Sequence, residues 1–432
     1  MGTDPIIANP WTPYGLSDDP YFQEPLAPAG DPRRPGSLFV GRQQDLRLLG
    51  GQVVGSSASR ALVQGPAGIG KTTFINQLKD LLAARGVCSH AHPVHLVAGM
   101  SPRTFMAEVL RVVLQIHATV VMRGATGRDG DDAFWSRITR IVAGEDGRAG
   151  GITLGPVGIQ SEPIRIAAEV TDGALVGDTI EALERLARLL QASDPAARVL
   201  LHVDNLENLE LEGHGSAAAL LQSVRDVFLA RGAHWLLAGA GDVDQAVLGR
   251  SPQVAGIVPL VVTLGPLPGV EIVELLARRY RHLQRGRRLV PPIDTATAER
   301  LYALYDGDLR GFLRLLSRAV QHRALLDPGA TLTVTDVVAS MAPLYRAELE
   351  RRIGFDDVTH LAAVFAGQAA DALFRVTDVA TRTGLSQPAA TQFVKRLGVA
   401  ALIVVARTQG RSTWYRLARG DTAIALGLAP MS

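Results

Sequence analysis

Three glycines, a lysine and two threonines fall within nine residues, GPAGIGKTT at 65–73. Glycine, four residues, glycine, lysine and a hydroxyl residue is a spacing that suits a polyphosphate. Gly65, Gly68 and Gly70 allow backbone N–H groups to curl around phosphate oxygens, with Pro66, Ala67 and Ile69 completing the loop. Lys71 is spaced to reach the β and γ phosphates and Thr72 to ligate Mg²⁺ through its hydroxyl, with Thr73 beside it. The expected ligand is ATP with Mg²⁺.

A second stretch, RVLLHVDNLENLE at 198–210, supplies what such a loop lacks. Val199, Leu200, Leu201 and Val203 make an apolar strand that delivers the Asp204 carboxylate to a sheet edge, where it is the other expected Mg²⁺ ligand. Many ATP-hydrolysing proteins follow this aspartate with a glutamate that activates water. Here the residue is Asn205, which can orient a water but cannot take its proton. Glu207 and Glu210 are close enough in sequence to act as the base, and equally fit as exposed acids on a loop. Slow hydrolysis is the expectation.

The elements around these residues must hold them at one edge. RALVQ at 60–64 is a short buried strand, and TTFINQLKDLLAARG leaves the glycine loop as a helix. VCSHAHPVHLVAG reads as a strand, MSPRTFMAEVLRVVLQIHATVV and DTIEALERLARLLQ as helices, GSAAALLQSVRDVFLARG as one helix and HWLLAGAG as a strand. Alternating strands and helices predict an α/β fold with a parallel sheet covered on both faces. Residues 143–172, rich in glycine, interrupt the alternation as an inserted loop or hairpin. After Leu267 four helices follow to about Ile353, then three short helices and two strands around the turn TQGR.

A length of 432 residues implies two to four domains. The boundaries expected are a proline-rich strap at 1–36, an ATPase core at 37–266, a helical lid at 267–353 and a terminal domain at 354–432. The strap holds eight prolines with Trp11, Tyr14, Tyr21 and Phe22, aromatics that would dock on this chain or on a neighbouring copy. Hydrophobic residues at 47% and charged residues at 20% fit a globular protein. One cysteine, Cys88, excludes an internal disulfide framework and fits a reducing cytosol. The first residues lack the basic and apolar regions of a secretory signal, and the longest apolar run, 254–270, is broken by Pro259, Gly265, Pro266 and Pro268. A cytoplasmic location without a membrane contact is expected.

GPAGIGKTT and RVLLHVDN, followed across the helical block by GDLRGFLRLL at 307–316, resemble the AAA+ ATPases. The last phrase is similar to the sensor-2 helix of their lid, which implies that Arg310 touches the γ phosphate. FVGR at 39–42 is similar to the segment that opens many AAA+ modules near the adenine. Two positions depart from the family. The polar sensor-1 residue expected after HWLLAGAG is replaced by Gly239, Ala240 and Gly241, with Asp242 the nearest polar group. An arginine finger acting in trans would be Arg250, which is as readily a plain loop residue.

The charge distribution marks the C-terminus. Residues 371–420 hold eight Arg/Lys against two Asp, a net +6, which leaves −4 for the rest of a chain whose total is +2. Residues 356–418 resemble a winged helix-turn-helix. Its third helix, from Gln387, buries Ala390, Phe393, Val394 and Leu397 and presents Gln387, Thr391, Gln392, Lys395 and Arg396. The hairpin after it carries Arg407 on its stem and Arg411 at its tip, and Trp414 and Tyr415 cannot both face the core. P-loop module, helical lid and terminal winged helix, in that order, resemble the origin-recognition initiator ATPases of archaea and eukaryotes, with transposition-regulating AAA+ proteins as relatives. That resemblance implies double-stranded DNA as a partner, an ATP-dependent homo-oligomer and a further effector protein, in replication, a mobile element or antiphage defence. The alternative is a STAND-like signalling ATPase whose winged helix binds protein; a processive motor fits poorly with Asn205. Cys88, His90, His92 and His95 could suggest a metal, since alternate strand residues share a face, but strand side chains beside the sheet are the plainer account.

Overall fold

The computed structural model describes residues 9–26, 36–122, 132–143, 171–210, 217–241, 243–249, 252–410, 412–418 and 420–428. They divide into two compact units, Pro25–Leu264 and Met1–Glu24 with Gly265–Ser432.

The first unit is built on six parallel strands: β1 Arg60–Gly65, β2 Val87–Ser89, β3 Val94–His95, β4 Arg198–Asp204, β5 Ala233–Ala240 and β6 Leu260–Thr263. Their order is β2-β4-β5-β1-β6, with β3 also pairing β4. β4 and β5 are buried along nearly their whole length, as parallel strands covered on both faces must be. Between the strands run α1 Gln43–Gly55, α2 Lys71–Ala83, α3 Pro102–Met122, α4 Asp132–Ala143, α5 Asp172–Ser193, α6 Ala217–Ser223, α7 Arg225–Phe228 and α8 Pro252–Ala255. Among the described residues α3 is the one helix long and apolar enough to cross a membrane. Its Phe105, Val109, Leu110, Val113 and Ile116 are instead buried in the core, with Leu183 and Leu186 of α5 and Ile138 of α4.

Two elements expected from the sequence differ in the structure. The strand expected over 87–99 is broken at 90–93, so β2 and β3 meet β4 at separate points. The helix expected over 215–232 is two short helices separated at Val224. The short edge strand β6 and the helix α4 were not anticipated. Of the expected insertion, 144–170 lies outside the described residues, while α5 begins at Asp172 because Thr171 Oγ1 accepts the Ala174 N–H at 3.3 Å.

Two histidines are buried in this sheet. His234 pairs with Ser59 Oγ at 2.8 Å through Nδ1, and burial pushes its pKa down to about 4. Neither ring nitrogen of His202 has a hydrogen-bond partner among the described residues, and burial lowers its pKa well below 6.5. A histidine neutral in the fold and free to protonate when unfolded stabilises the fold fully above pH 6.5 and progressively less as pH falls. Thermal unfolding should therefore show stability lost between pH 6.5 and about 4, on the order of 3 kcal/mol for His234 alone. His234→Gln is expected to be less stable at pH 7 yet to lose part of that slope.

The second unit gathers α9 Gly269–Leu283, α10 Thr295–Ala303, α11 Leu309–Ala324, α12 Val334–Ile353, α13 Phe355–Phe365, α14 Val376–Thr383 and α15 Gln387–Val399, then the antiparallel strands β7 Ile403–Gln409 and β8 Ser412–Leu417 and a last helix, α16 Gly420–Ala425. Side-chain caps fix where several begin. Asp294 accepts from Thr297 N at 2.8 Å, Asp308 from Gly311 N at 2.9 Å, and Thr333 and Asp336 cap α12 reciprocally. Residues 9–24 pack within this unit, with Trp11, Tyr14 and Tyr21 buried. The buried Arg279 guanidinium donates to the carbonyls of Pro20 (3.1 Å) and Phe22 (2.8 Å) and lies 4.0 Å from the Phe22 ring centre. Tyr21 and Tyr280 share a hydroxyl hydrogen bond of 2.7 Å.

Candidate functional site

The glycine loop joins β1 to α2 at the C-terminal edge of the sheet. Two glycines answer backbone demands, one of them also a demand for space. Gly65 has φ 153°, and a Cβ on it would meet the Leu264 carbonyl oxygen at 2.7 Å. Gly70 caps α2 with φ 98°. Pro66 and Ala67 are exposed, Gly68 adopts φ 80°, and Ile69 is buried beneath the loop. The first turn of α2 has N–H groups without acceptors inside the helix and a positive end, a setting for anions. Lys71 Nζ lies over the loop, donating to Gly65 O at 2.8 Å and Pro66 O at 3.1 Å. Thr72 and Thr73 follow, half-buried, and Thr73 Oγ1 accepts the Leu26 N–H at 3.4 Å.

Arg42, the last residue of FVGR, adopts φ 57° and donates from Nη2 to Ile69 O at 2.8 Å. That segment is thereby anchored on the glycine loop, a contact the sequence did not disclose.

Asp204 ends β4, 7% exposed. Its Oδ1 accepts the Asn205 N–H at 2.9 Å. Burial raises its pKa, opposed by that hydrogen bond and by His95 and Lys71, and Glu207 adds to the rise. Below the site Lys79, also buried, donates to His90 O at 2.9 Å; desolvation lowers its pKa to about 8, with Asp204 and Asp80 opposing.

Asn205 has φ 67°, a left-handed conformation that asparagine tolerates better than glutamate. The residue at this point answers a backbone demand as well as a chemical one. Glu207 reaches across to β5, its Oε2 accepting the Ala240 N–H at 2.9 Å. The end of β5, at Gly239 and Ala240, thus receives a carboxylate from the loop that follows β4. Gly241 N also donates to Gly65 O at 3.1 Å, so glycine loop, β5 end and Glu207 are joined. Nothing is described of the Glu210 side chain, and Asp242 and Arg250 lie outside the described residues.

His90, His92 and His95 do not form a metal centre with Cys88. His92 N–H donates to His90 Nδ1 at 3.1 Å in the break between β2 and β3. Among the described residues no group of three or more His, Cys, Asp or Glu is placed to hold a metal.

In the second unit Arg310 is exposed in the first turn of α11. On α15, Gln387, Thr391, Gln392 and Lys395 are exposed, while Ala390, Phe393, Val394 and Leu397 are buried. Arg396 is exposed too, but its guanidinium pairs with Asp357 through both oxygens, at 2.7 and 2.9 Å. It ties α15 to α13 as well as adding charge to the surface. Arg407 lies 4.9 Å from the Trp414 ring centre and Arg375 4.6 Å from it, so one indole holds two guanidinium groups. Tyr415 pairs with Phe374 instead. Arg411 lies outside the described residues.

A family model described as AAA ATPase domain matches residues 38–230. Comparison with curated protein sequences gives no match. Among solved structures, the Aeropyrum pernix ORC2 protein, recorded as ADPNP-ADP complexes, is similar at a TM-score of 0.50 and 14% identity, over 96% of this chain and 98% of that one. A Walker-type ATPase of Pyrococcus abyssi (TM-score 0.47, 14% identity, 94% of this chain and 99% of that one) and the Aeropyrum pernix ORC1 protein in complex with DNA (0.45, 14%, 90% and 92%) are also similar. Residues 38–230 thus match the AAA ATPase domain model, and the chain shares the fold of the Aeropyrum pernix ORC2 protein.

Proposed function

We propose that the protein is an ATP-controlled DNA-binding switch. The observation that carries this reading is one chain with both a complete phosphate cradle and an exposed basic surface on a helix-and-hairpin module. Lys71 and the first turn of α2 bind the β and γ phosphates. Thr72 and Asp204 hold Mg²⁺; both offer hard oxygen donors, and Asp204 Oδ1 also accepts the Asn205 N–H. Bound Mg²⁺ neutralises charge that builds on the phosphates. Arg310 reports on the γ phosphate, an assignment supported by the GDLRGFLRLL phrase and by its exposure.

Turnover is slow because the position after Asp204 has no base. Glu207 is the acid with the right neighbours, yet its carboxylate is occupied by Ala240 N–H and must leave it to take a proton from water. Arg250 is the proposed finger from a neighbouring protomer. Residues 354–432 form a winged helix-turn-helix that binds duplex DNA through Lys395, Arg396, Arg407 and Arg411, with Gln387, Thr391 and Gln392 facing the bases. The related ORC1 protein was solved in complex with DNA, which supports this partner. Copies of the chain assemble on DNA when ATP is bound, and an effector protein reads the assembly in replication, a mobile element or antiphage defence.

The test is sizing by light scattering with and without ATP and duplex DNA, alongside phosphate release. The expected result is a larger species with both ligands and turnover below about one per second without a partner. An unchanged mass with both ligands, or fast turnover of the isolated chain, would overturn the reading.

A further inference from the structure

Asp421 stands in the first turn of α16, just past the hairpin. Different elements take its two oxygens: Oδ1 accepts the Tyr305 O–H at 2.8 Å and Oδ2 the Arg314 guanidinium at 2.5 Å. These two groups bracket Arg310 on the chain. Arg314 follows it by one turn of α11 and so shares its face. Tyr305 sets the start of that helix from the other side. Its carbonyl accepts Asp308 N at 2.8 Å, Asp308 caps Gly311, and a Cβ on Gly311 would meet the Tyr305 ring at 3.0 Å.

α16 comes close to the same ring. A Cβ on Gly420 would lie 2.6 Å from Tyr305 Cε2, so only glycine allows the approach. A third link leaves the hairpin itself: Arg416 of β8 pairs with Asp306 Oδ2 at 2.6 Å. The links differ in weight. Arg416 and Asp306 are solvated and contribute little. Tyr305 is buried, so losing its carboxylate acceptor would strand a buried hydroxyl, and the Arg314 bond is charge-assisted. Asp421 is the decisive member.

We infer that Asp421 is a clasp that joins the helix start carrying Arg310 to the β7–β8 hairpin, so that the nucleotide state felt at Arg310 reaches the DNA-binding surface through it. The functional meaning of the clasp rests on the roles proposed above for Arg310 and the hairpin; the mechanical link itself does not. A coupling of this kind needs two sites and one element that both bias.

The experiment uses the full chain as wild type, Asp421→Asn and the milder Tyr305→Phe, which removes only the hydroxyl. Amide hydrogen exchange is read at 305–314, at 403–417 and at the glycine loop, and duplex affinity is read with ATP and with ADP. In Asp421→Asn, exchange should rise about tenfold in both of the first two segments and stay unchanged in the loop. Tyr305→Phe should loosen the same pair less. The ratio of DNA affinities between ATP and ADP, about fivefold or more in the wild type, should fall to about one while each ligand still binds. Loosening of 305–314 with 403–417 unaffected, in both variants, would overturn the clasp. A wild-type chain indifferent to nucleotide or DNA would sink the proposed function instead, and the exchange data would still decide the clasp.

Discussion

Lys71→Met is expected to lower affinity for ATP by about a hundredfold or more. A hydrogen bond to a charged group contributes about 1.5–3 kcal/mol, and an ammonium that touches both β and γ oxygens makes two of them. Two such bonds at the lower figure come to about 3 kcal/mol, and each 1.4 kcal/mol is a factor of ten. The ammonium donates to the Gly65 and Pro66 carbonyls, which hold it over the glycine loop. Methionine keeps the length and the helix propensity of lysine, and a half-buried position at the helix start should leave the fold intact. Lys71→Arg should rescue poorly, because a planar fork does not fit where a compact charge sits. ADP, which lacks the γ phosphate, should lose less than ATP. Titration calorimetry with both nucleotides is the measurement, and an Lys71→Met chain that retains ATP within about threefold of the wild type would remove lysine from the site.

What could be read from the sequence was what local spacing controls. The glycine loop needs left-handed or close-approach residues at fixed intervals, and a loop between a strand and a helix has one place to go. The buried stripe of α15 follows from helical period alone. Features that depend on distant pairings were invisible. Glu207 meets Ala240 only because β4 and β5 are neighbours, a fact of sheet order and not of spacing. Arg396 reads as a free cation until α13 brings Asp357 against it. The strap shows its aromatics in the sequence, but the arginine that receives it, Arg279, is spelled like any other residue of an amphipathic helix. In the sequence Asn205 reads as a missing base, while its positive φ gives a backbone reason for asparagine. At 90–93 the stretch HAHP, two histidines before a proline, suits a strand or a bend equally well.

Lys395→Glu with Arg407→Glu should reduce duplex DNA affinity by about a hundredfold at 0.1 M salt and make it less dependent on salt. Each phosphate contact contributes roughly 0.9 to the slope of log affinity against log salt, so losing two should flatten that slope by about 1.8. These two positions are chosen because, among the described residues, no ion pair depends on them. Arg396 holds Asp357, and reversing its charge would set two carboxylates against each other and loosen α15. Lys395 is exposed on α15, and Arg407 is exposed with its guanidinium stacked on Trp414, an arrangement that limits the freedom it must give up on binding. Gln392→Ala should act differently. It removes no charge, so the salt slope should stay while discrimination between sequences narrows. Fluorescence anisotropy across a salt series separates the three outcomes. If the doubly reversed chain binds duplex as tightly as the wild type, the basic surface is not the DNA face. If the wild type binds none, the module docks protein, as in the signalling alternative, and nucleotide-gated assembly with a partner protein replaces assembly on DNA.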